Sequence, residues 1–229
     1  MTRVPNPLIV AADMSEVDEA ASLAKRLSGV VAMVKVGLEL FTAAGPEGLR
    51  RVGEHAPLFL DLKLHDIPNT VGRAARNVGG LGARMLTVHA LGGPDMVRAA
   101  VDGAEQGARA AGVETPGIIA ITVLSSLAGE GLVSPASLAF EAVAAGADGV
   151  VVSGDDVQDA RAALGEGPVL VVPGIRPRGF ATDGHARVLT PAEAMEKGAD
   201  YLVVGRPITE AADPAAAARA ILREVGVEQ

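Results

Sequence analysis

The sequence predicts a single (β/α)8 barrel of the TIM type, with residues 1–229 as one domain. A short apolar run followed by a helical pattern recurs eight times, at roughly 25–30 residues per unit. Each run is near-continuous instead of alternating, as expected of parallel strands covered by helices. No linker or low-complexity segment divides the chain. A doubly wound open sheet is the alternative, but no G-x-G-x-x-G follows the first strand, which weakens a dinucleotide-binding version.

The elements follow in order. Strand one, 7–13, ends at Asp13; Ser15 stands as an N-cap with Asp18 and Glu19 in the first turn of a helix that Gly29 stops. Strand two, 30–37, holds Lys35 among apolar neighbours; a snorkelling edge lysine is the alternative, but an otherwise continuous apolar strand argues against it. Gly45-Pro46 breaks the stretch that follows, and a helix runs on through Leu49 and Val52 to His55. Strand three is 58–64, with a helix over 69–81; strand four is 84–89, with a helix over 96–111. Strand five is 117–123, and Ser134 caps a helix over 135–145 with Pro135 at its first position. Strand six is 148–153, with a helix over 156–164. Strand seven is 169–174, and Thr190-Pro191 opens a helix to Lys197. Strand eight is 200–205, and Asp213-Pro214 starts the last helix, to about Val225.

Composition narrows the function. The chain has 229 residues, 49% hydrophobic but only 2% aromatic, so its core is built from Val, Leu, Ile and Ala. With a net charge of −8 and no basic patch, nucleic acid and anionic membranes are poor partners. The absence of cysteine excludes disulfide and thiolate chemistry. The first seven residues lack the apolar stretch of a signal peptide, and no run is long enough to span a bilayer, so a cytoplasmic protein is expected.

Chemistry concentrates in Asp61-Leu-Lys-Leu-His-Asp-Ile-Pro-Asn-Thr70. Strand alternation points Asp61 and Lys63 the same way, and Asp66 lies just beyond, where Ile67-Pro68 ends the strand. Two acids flanking a lysine are costly to bury unless paired, and a plain ion-pair network is the ordinary explanation. In a barrel, however, active sites lie at the carboxyl ends of the strands. Asp13, Lys35, Asp61, Lys63 and Ser125 all fall at or near such ends. His89 also ends a strand and reads as a structural histidine; His65 reads as a loop residue.

A second cluster follows strand seven, where about 17 residues, 174–190, show no apolar periodicity and carry Arg176, Arg178 and Arg187. Strand eight ends in Gly205-Arg206-Pro207, which suits a glycine approached by ligand and the first turn of a short helix. Barrels commonly hold phosphate in these two loops. A turn with a surface arginine is the alternative.

The ten-residue motif resembles the signature of the orotidine 5′-phosphate decarboxylase family. Val34-Lys-Val-Gly37, Thr122-Val-Leu-Ser125, Pro173-Gly-Ile-Arg176 and Val203-Val-Gly-Arg206 agree with it in order and spacing, over essentially the whole chain. The resemblance implies decarboxylation of orotidine monophosphate to uridine monophosphate and CO2, the last step of de novo pyrimidine synthesis, with no metal or organic cofactor. It implies Lys63 as proton donor to C6 and Asp61 beside the departing carboxylate. Lys35 and Asp13 would address the ribose and support the charges. Asp66 and Thr70 would reach into the partner's site of a homodimer with shared active sites. Ser125 would bind the pyrimidine edge, and Arg176, Arg206 and the Gly205 amide the phosphate. His185 stands where the family's lid commonly carries glutamine. The nearest rival is a magnesium-dependent sugar-phosphate relative with the same D-x-K-x-x-D; Lys35 puts a cation where that site favours acids. A barrel that binds a nucleotide without turnover is the other.

Overall fold

The computed structural model describes residues 4–123, 134–154, 156–178, 180 and 188–228. Eight parallel strands close into a barrel in chain order: β1 (Leu8–Ala12), β2 (Met33–Gly37), β3 (Leu58–Leu64), β4 (Met85–His89), β5 (Gly117–Ile121), β6 (Gly149–Val151), β7 (Val169–Val172) and β8 (Tyr201–Val204). Closure is direct, with Leu8, Ile9 and Val10 paired to Leu202, Val203 and Val204.

Alternation along the strands divides the core in two. Val10, Val34, Leu60, Leu86, Val150 and Leu202 point outward against the helices. Ile9, Met33, Phe59, Met85, Ile119, Val171 and Val203 point inward and fill the lumen. With so few aromatics in the chain, Phe59 is the largest of these lumen side chains, and it is fully buried.

The helices are α1 (Val17–Arg26), α2 (Leu38–Gly53), α3 (Pro68–Gly79), α4 (Gly93–Ala111), α5 (Pro135–Ala144), α6 (Asp156–Leu164), α7 (Pro191–Glu196), α8 (Arg206–Thr209) and α9 (Pro214–Glu224). Thr190 and Glu193 form a reciprocal capping box on α7, and Asp213 caps α9 through the Ala215 and Ala216 amides. Ser134 is the N-cap of α5 as expected, without a side-chain bond. Ser15 does not cap α1: the N-cap is Glu16, and the Ser15 hydroxyl donates to Glu39 instead. Gly45-Pro46 breaks α2 as expected: Gly45 is non-helical at φ 60° and ψ −163°, so Leu38–Gly53 is two helical stretches joined at a kink, of which the first, from Leu38, was not expected. No helix among the described residues is long and apolar enough to cross a membrane.

At the amino ends of the strands, acids staple neighbours together. Asp148 accepts the Ile118 amide and Asp200 the Leu170 amide, both at 2.8 Å. Asp200 is almost fully buried and pairs with Arg161 at 2.6 Å. At α3 and α4 the backbones touch. A Cβ on Gly103 would lie 2.1 Å from the Gly72 carbonyl, and one on Gly107 1.9 Å from the Arg76 carbonyl, so no side chain fits between these helices there.

Candidate active site

The carboxyl ends of the strands open into a cavity of about 510 Å³. Its polar residues continue the inward-facing rows of the lumen. Asp13 lies two beyond Ala11, Lys35 two beyond Met33, Asp61 and Lys63 two and four beyond Phe59, and Gly205 two beyond Val203. Asp13, Lys35, Asp61 and Lys63 form one wall; Arg176, Gly205 and Arg206 face the cavity from beyond β7 and β8. Between them the lining is mostly apolar, from Ile121, Val123, Val151, Val171 and Pro173, with Ser153 the polar exception on β5–β6 among the described residues.

The four charges alternate in sign. Lys35 Nζ lies 2.8 Å from Asp13 Oδ1 and 3.5 Å from Asp61 Oδ2. Lys63 Nζ donates to the same Asp61 oxygen at 2.6 Å. The other oxygen, Oδ1, accepts the hydroxyl of the fully buried Thr87 at 3.0 Å. Burial alone would raise the Asp61 carboxyl, but Lys35 and Lys63, with the hydrogen bonds from Lys63 and Thr87, outweigh it and hold it below its ordinary range. The centre is therefore an ionised carboxylate shared by two ammonium groups.

Local backbone geometry aims Lys63. It has φ 52°, unlike any other described residue except glycines. That conformation costs about 1–2 kcal/mol for a residue with a Cβ. The β3–β4 register shifts between Leu60 and Leu64, and the Lys63 amide leaves the ladder to donate to Thr87 Oγ1 at 2.9 Å. Gly37 lies against the same wall: a Cβ there would meet the Asp13 carboxylate and Lys35 Nζ at ordinary contact distances of 3.5 and 3.6 Å.

Seven of the expected residues, Asp13, Lys35, Asp61, Lys63, Arg176, Gly205 and Arg206, thus line one cavity. Asp66 and Thr70 do not line it; they stand exposed on the rim, where Asp66 accepts the Ile67 amide at 2.6 Å. Ser125, His185 and Arg187 lie outside the described residues. Sequence reasoning missed Thr87 and Ser153. The available signal was parity: each is a hydroxyl at an inward position of a strand end read as apolar. Among the described residues no three His, Asp or Glu side chains are grouped as a metal site.

A closed parallel barrel whose carboxyl end carries a lysine–carboxylate centre in one cavity with two arginines is a (β/α)8-barrel enzyme. Comparison with known proteins narrows this. Residues 6–221 match the model of the orotidine 5′-phosphate decarboxylase / HUMPS family, and the chain belongs to that family. It is 51% identical to the orotidine 5′-phosphate decarboxylase of Anaeromyxobacter dehalogenans, over 95% of this chain and 97% of that one. Identity to the enzyme of the same name from Paramagnetospirillum magneticum is 49%, over 97% and 99%. The crystal structure of orotidine 5′-phosphate decarboxylase from Lactobacillus acidophilus superposes with a TM-score of 0.83 at 38% identity, covering 96% of this chain and 99% of that one.

Proposed function

We propose that this decarboxylase acts on orotidine 5′-monophosphate, releasing CO2 and uridine 5′-monophosphate as a cytoplasmic enzyme of pyrimidine synthesis, without metal or organic cofactor. The observation that carries the reading is the Asp13–Lys35–Asp61–Lys63 array in a cavity that Arg176 and Arg206 also line.

Loss of CO2 from C6 leaves an electron pair in the plane of the pyrimidine ring, where the ring π system cannot take it up. A fixed ammonium beside C6 offsets that charge as it develops. Lys63 fills this role, and then transfers a proton from Nζ to C6, balancing the bond lost to CO2. Asp61, ionised at neutral pH, holds Lys63 Nζ from one side and lies beside the departing carboxylate. Lys35 and Asp13 address the ribose. Arg176, Arg206 and the Gly205 amide take the phosphate, and Ser125 and His185 the base edge and the lid. Phosphate binding far from C6 orders the site for the reaction. Asp66 and Thr70 complete the site of a second copy in a two-fold dimer. Their exposure on the rim, with the adjoining Ile67 65% exposed, supports a covering subunit there.

The test is the loss of orotidine monophosphate absorbance on adding pure protein in EDTA. Full turnover after exhaustive chelation is expected. Activity that vanishes with EDTA and returns with Mg²⁺ would move the protein to the sugar-phosphate side of its family.

A further inference from the structure

Two histidines have no place in the chemistry above, yet they meet at the edge of the charged centre. The rings of His65 and His89 lie 5.2 Å apart, centroid to centroid, at an interplanar angle of 34°. His89 occupies the inward row of β4, two residues beyond Thr87, and its Nδ1 is buried with no hydrogen-bond partner. His65 leaves β3 between Lys63 and Asp66 and is exposed. The β3–β4 pairing resumes at Leu64 and Val88 only after the left-handed turn at Lys63, so each ring follows directly on a paired residue.

We propose that the His65–His89 ring pair is a positioning clamp on the exit of β3, which fixes Lys63 and Asp66 relative to one another. Three observations converge. Lys63 sits in a backbone conformation that its own side chain disfavours, so something outside it must hold the turn. Thr87 holds the turn from its amide side. The ring contact holds it two residues further on, just before Asp66. The contact is one of ring surfaces: a buried, unpartnered Nδ1 contributes no hydrogen bond.

The clamp works with an uncharged His89. Burial pushes His89 below the ordinary histidine range; His65 and Lys63 act in the same direction, and Asp61 opposes them. A proton on His89 would set another cation against Lys63 and compete for Asp61. The clamp therefore loosens on the acid side of the histidine reference value of about 6.5.

The inference rests on the proposed reaction, so the experiment has two readouts. At saturating substrate, His65→Ala and His89→Ala are each expected to lower kcat roughly tenfold or more, as a misplaced catalytic group does, with KM changed far less. His89→Phe keeps a ring, removes the unpartnered nitrogen and cannot titrate. It is expected to recover most of the loss and to lack the acid-side fall in kcat that the wild type shows. Separately, NMR titration of the imidazoles is expected to place His89 below the ordinary range in the wild type and to move it upward in His65→Ala. Wild-type alanine-variant kinetics, a His89→Phe as slow as His89→Ala, or a His89 titration unmoved by His65→Ala would each overturn the clamp. If His89→Ala does not fold, His65→Ala, at an exposed position, decides the kinetic arm. A wild type without turnover would defeat the proposed reaction, while the titration would still report on the ring contact.

Discussion

Thr87 ties the two charged residues of β3 together: its hydroxyl donates to Asp61 Oδ1 at 3.0 Å and accepts the Lys63 amide at 2.9 Å. One side chain on β4 thus orients the carboxylate and holds the lysine's backbone turn. Thr87→Val keeps the shape and removes both bonds. It is expected to lower kcat by about 10- to 100-fold with little change in KM, since the phosphate end is untouched. Steady-state kinetics on orotidine monophosphate check this; an unchanged kcat would show that Lys35 and Lys63 suffice to hold Asp61.

Asp61 also makes stability depend on pH. Its carboxyl is held below the ordinary range in the folded state. Its contribution is therefore fully present above the unfolded value of about 3.9 and is lost as pH falls through the lower folded value. Urea unfolding of wild type and Asp61→Asn is expected to show a gap in stability that is constant from pH 5 to 8 and closes at stronger acidity. A gap that stays constant into strong acid would mean that the carboxylate is not stabilised by its two lysines.

Arg206 follows β8 at the start of α8 and lines the same cavity as Lys63. A charge-assisted hydrogen bond is worth about 1.5–3 kcal/mol, so Arg206→Ala is expected to lose roughly 10- to 150-fold in kcat/KM on the nucleotide. On the nucleoside lacking phosphate the loss should be slight. Equal losses on both substrates would point to damage to the fold or the chemistry.

The shared site is tested by subunit exchange. Lys63→Ala and Asp66→Asn homodimers should each be nearly inactive. In a mixed dimer one site takes Lys63 and Asp66 from different chains and is intact, while the other carries both lesions. Random exchange then restores roughly a quarter of wild-type activity under closed two-fold symmetry. With exchange verified by mass, the absence of any recovery rules out the cross-subunit role of Asp66.

Much of this was legible in the sequence because it depends on period and place. Apolar runs mark all eight strands, and parity points Asp61 and Lys63 together into the cavity. What depends on register between strands was not legible. Thr87 faces Asp61 through the register that pairs Phe59 with Met85 and Leu60 with Leu86, and it meets the Lys63 amide only because that register shifts before Leu64 pairs with Val88; no local pattern announces either. The left-handed Lys63 is likewise imposed from outside: lysine has no intrinsic preference for that conformation. Ser15 is not the cap because α1 starts at Val17 with Glu16 at its N-cap, one residue later than the sequence pattern places it. Helix α2 starts at Leu38 behind Gly37, with no side-chain cap to mark it.

The backbone contact of α3 with α4 carries the site's tolerance for change well away from its chemistry. Asp66 and Thr70 ride at the start of α3, and α3 rests on α4 at glycines whose smallest enlargement would strike a carbonyl. On an open helix, exchanging glycine for alanine is favourable by about 1 kcal/mol. At Gly103 and Gly107 the same exchange must move a helix, and with it the residues offered to the neighbouring chain. In a saturation screen for growth without supplied pyrimidine, these two positions on the outside of the barrel are expected to be as intolerant as Lys63 itself. A map of intolerant positions drawn from such a screen would place part of the active site where no substrate ever goes.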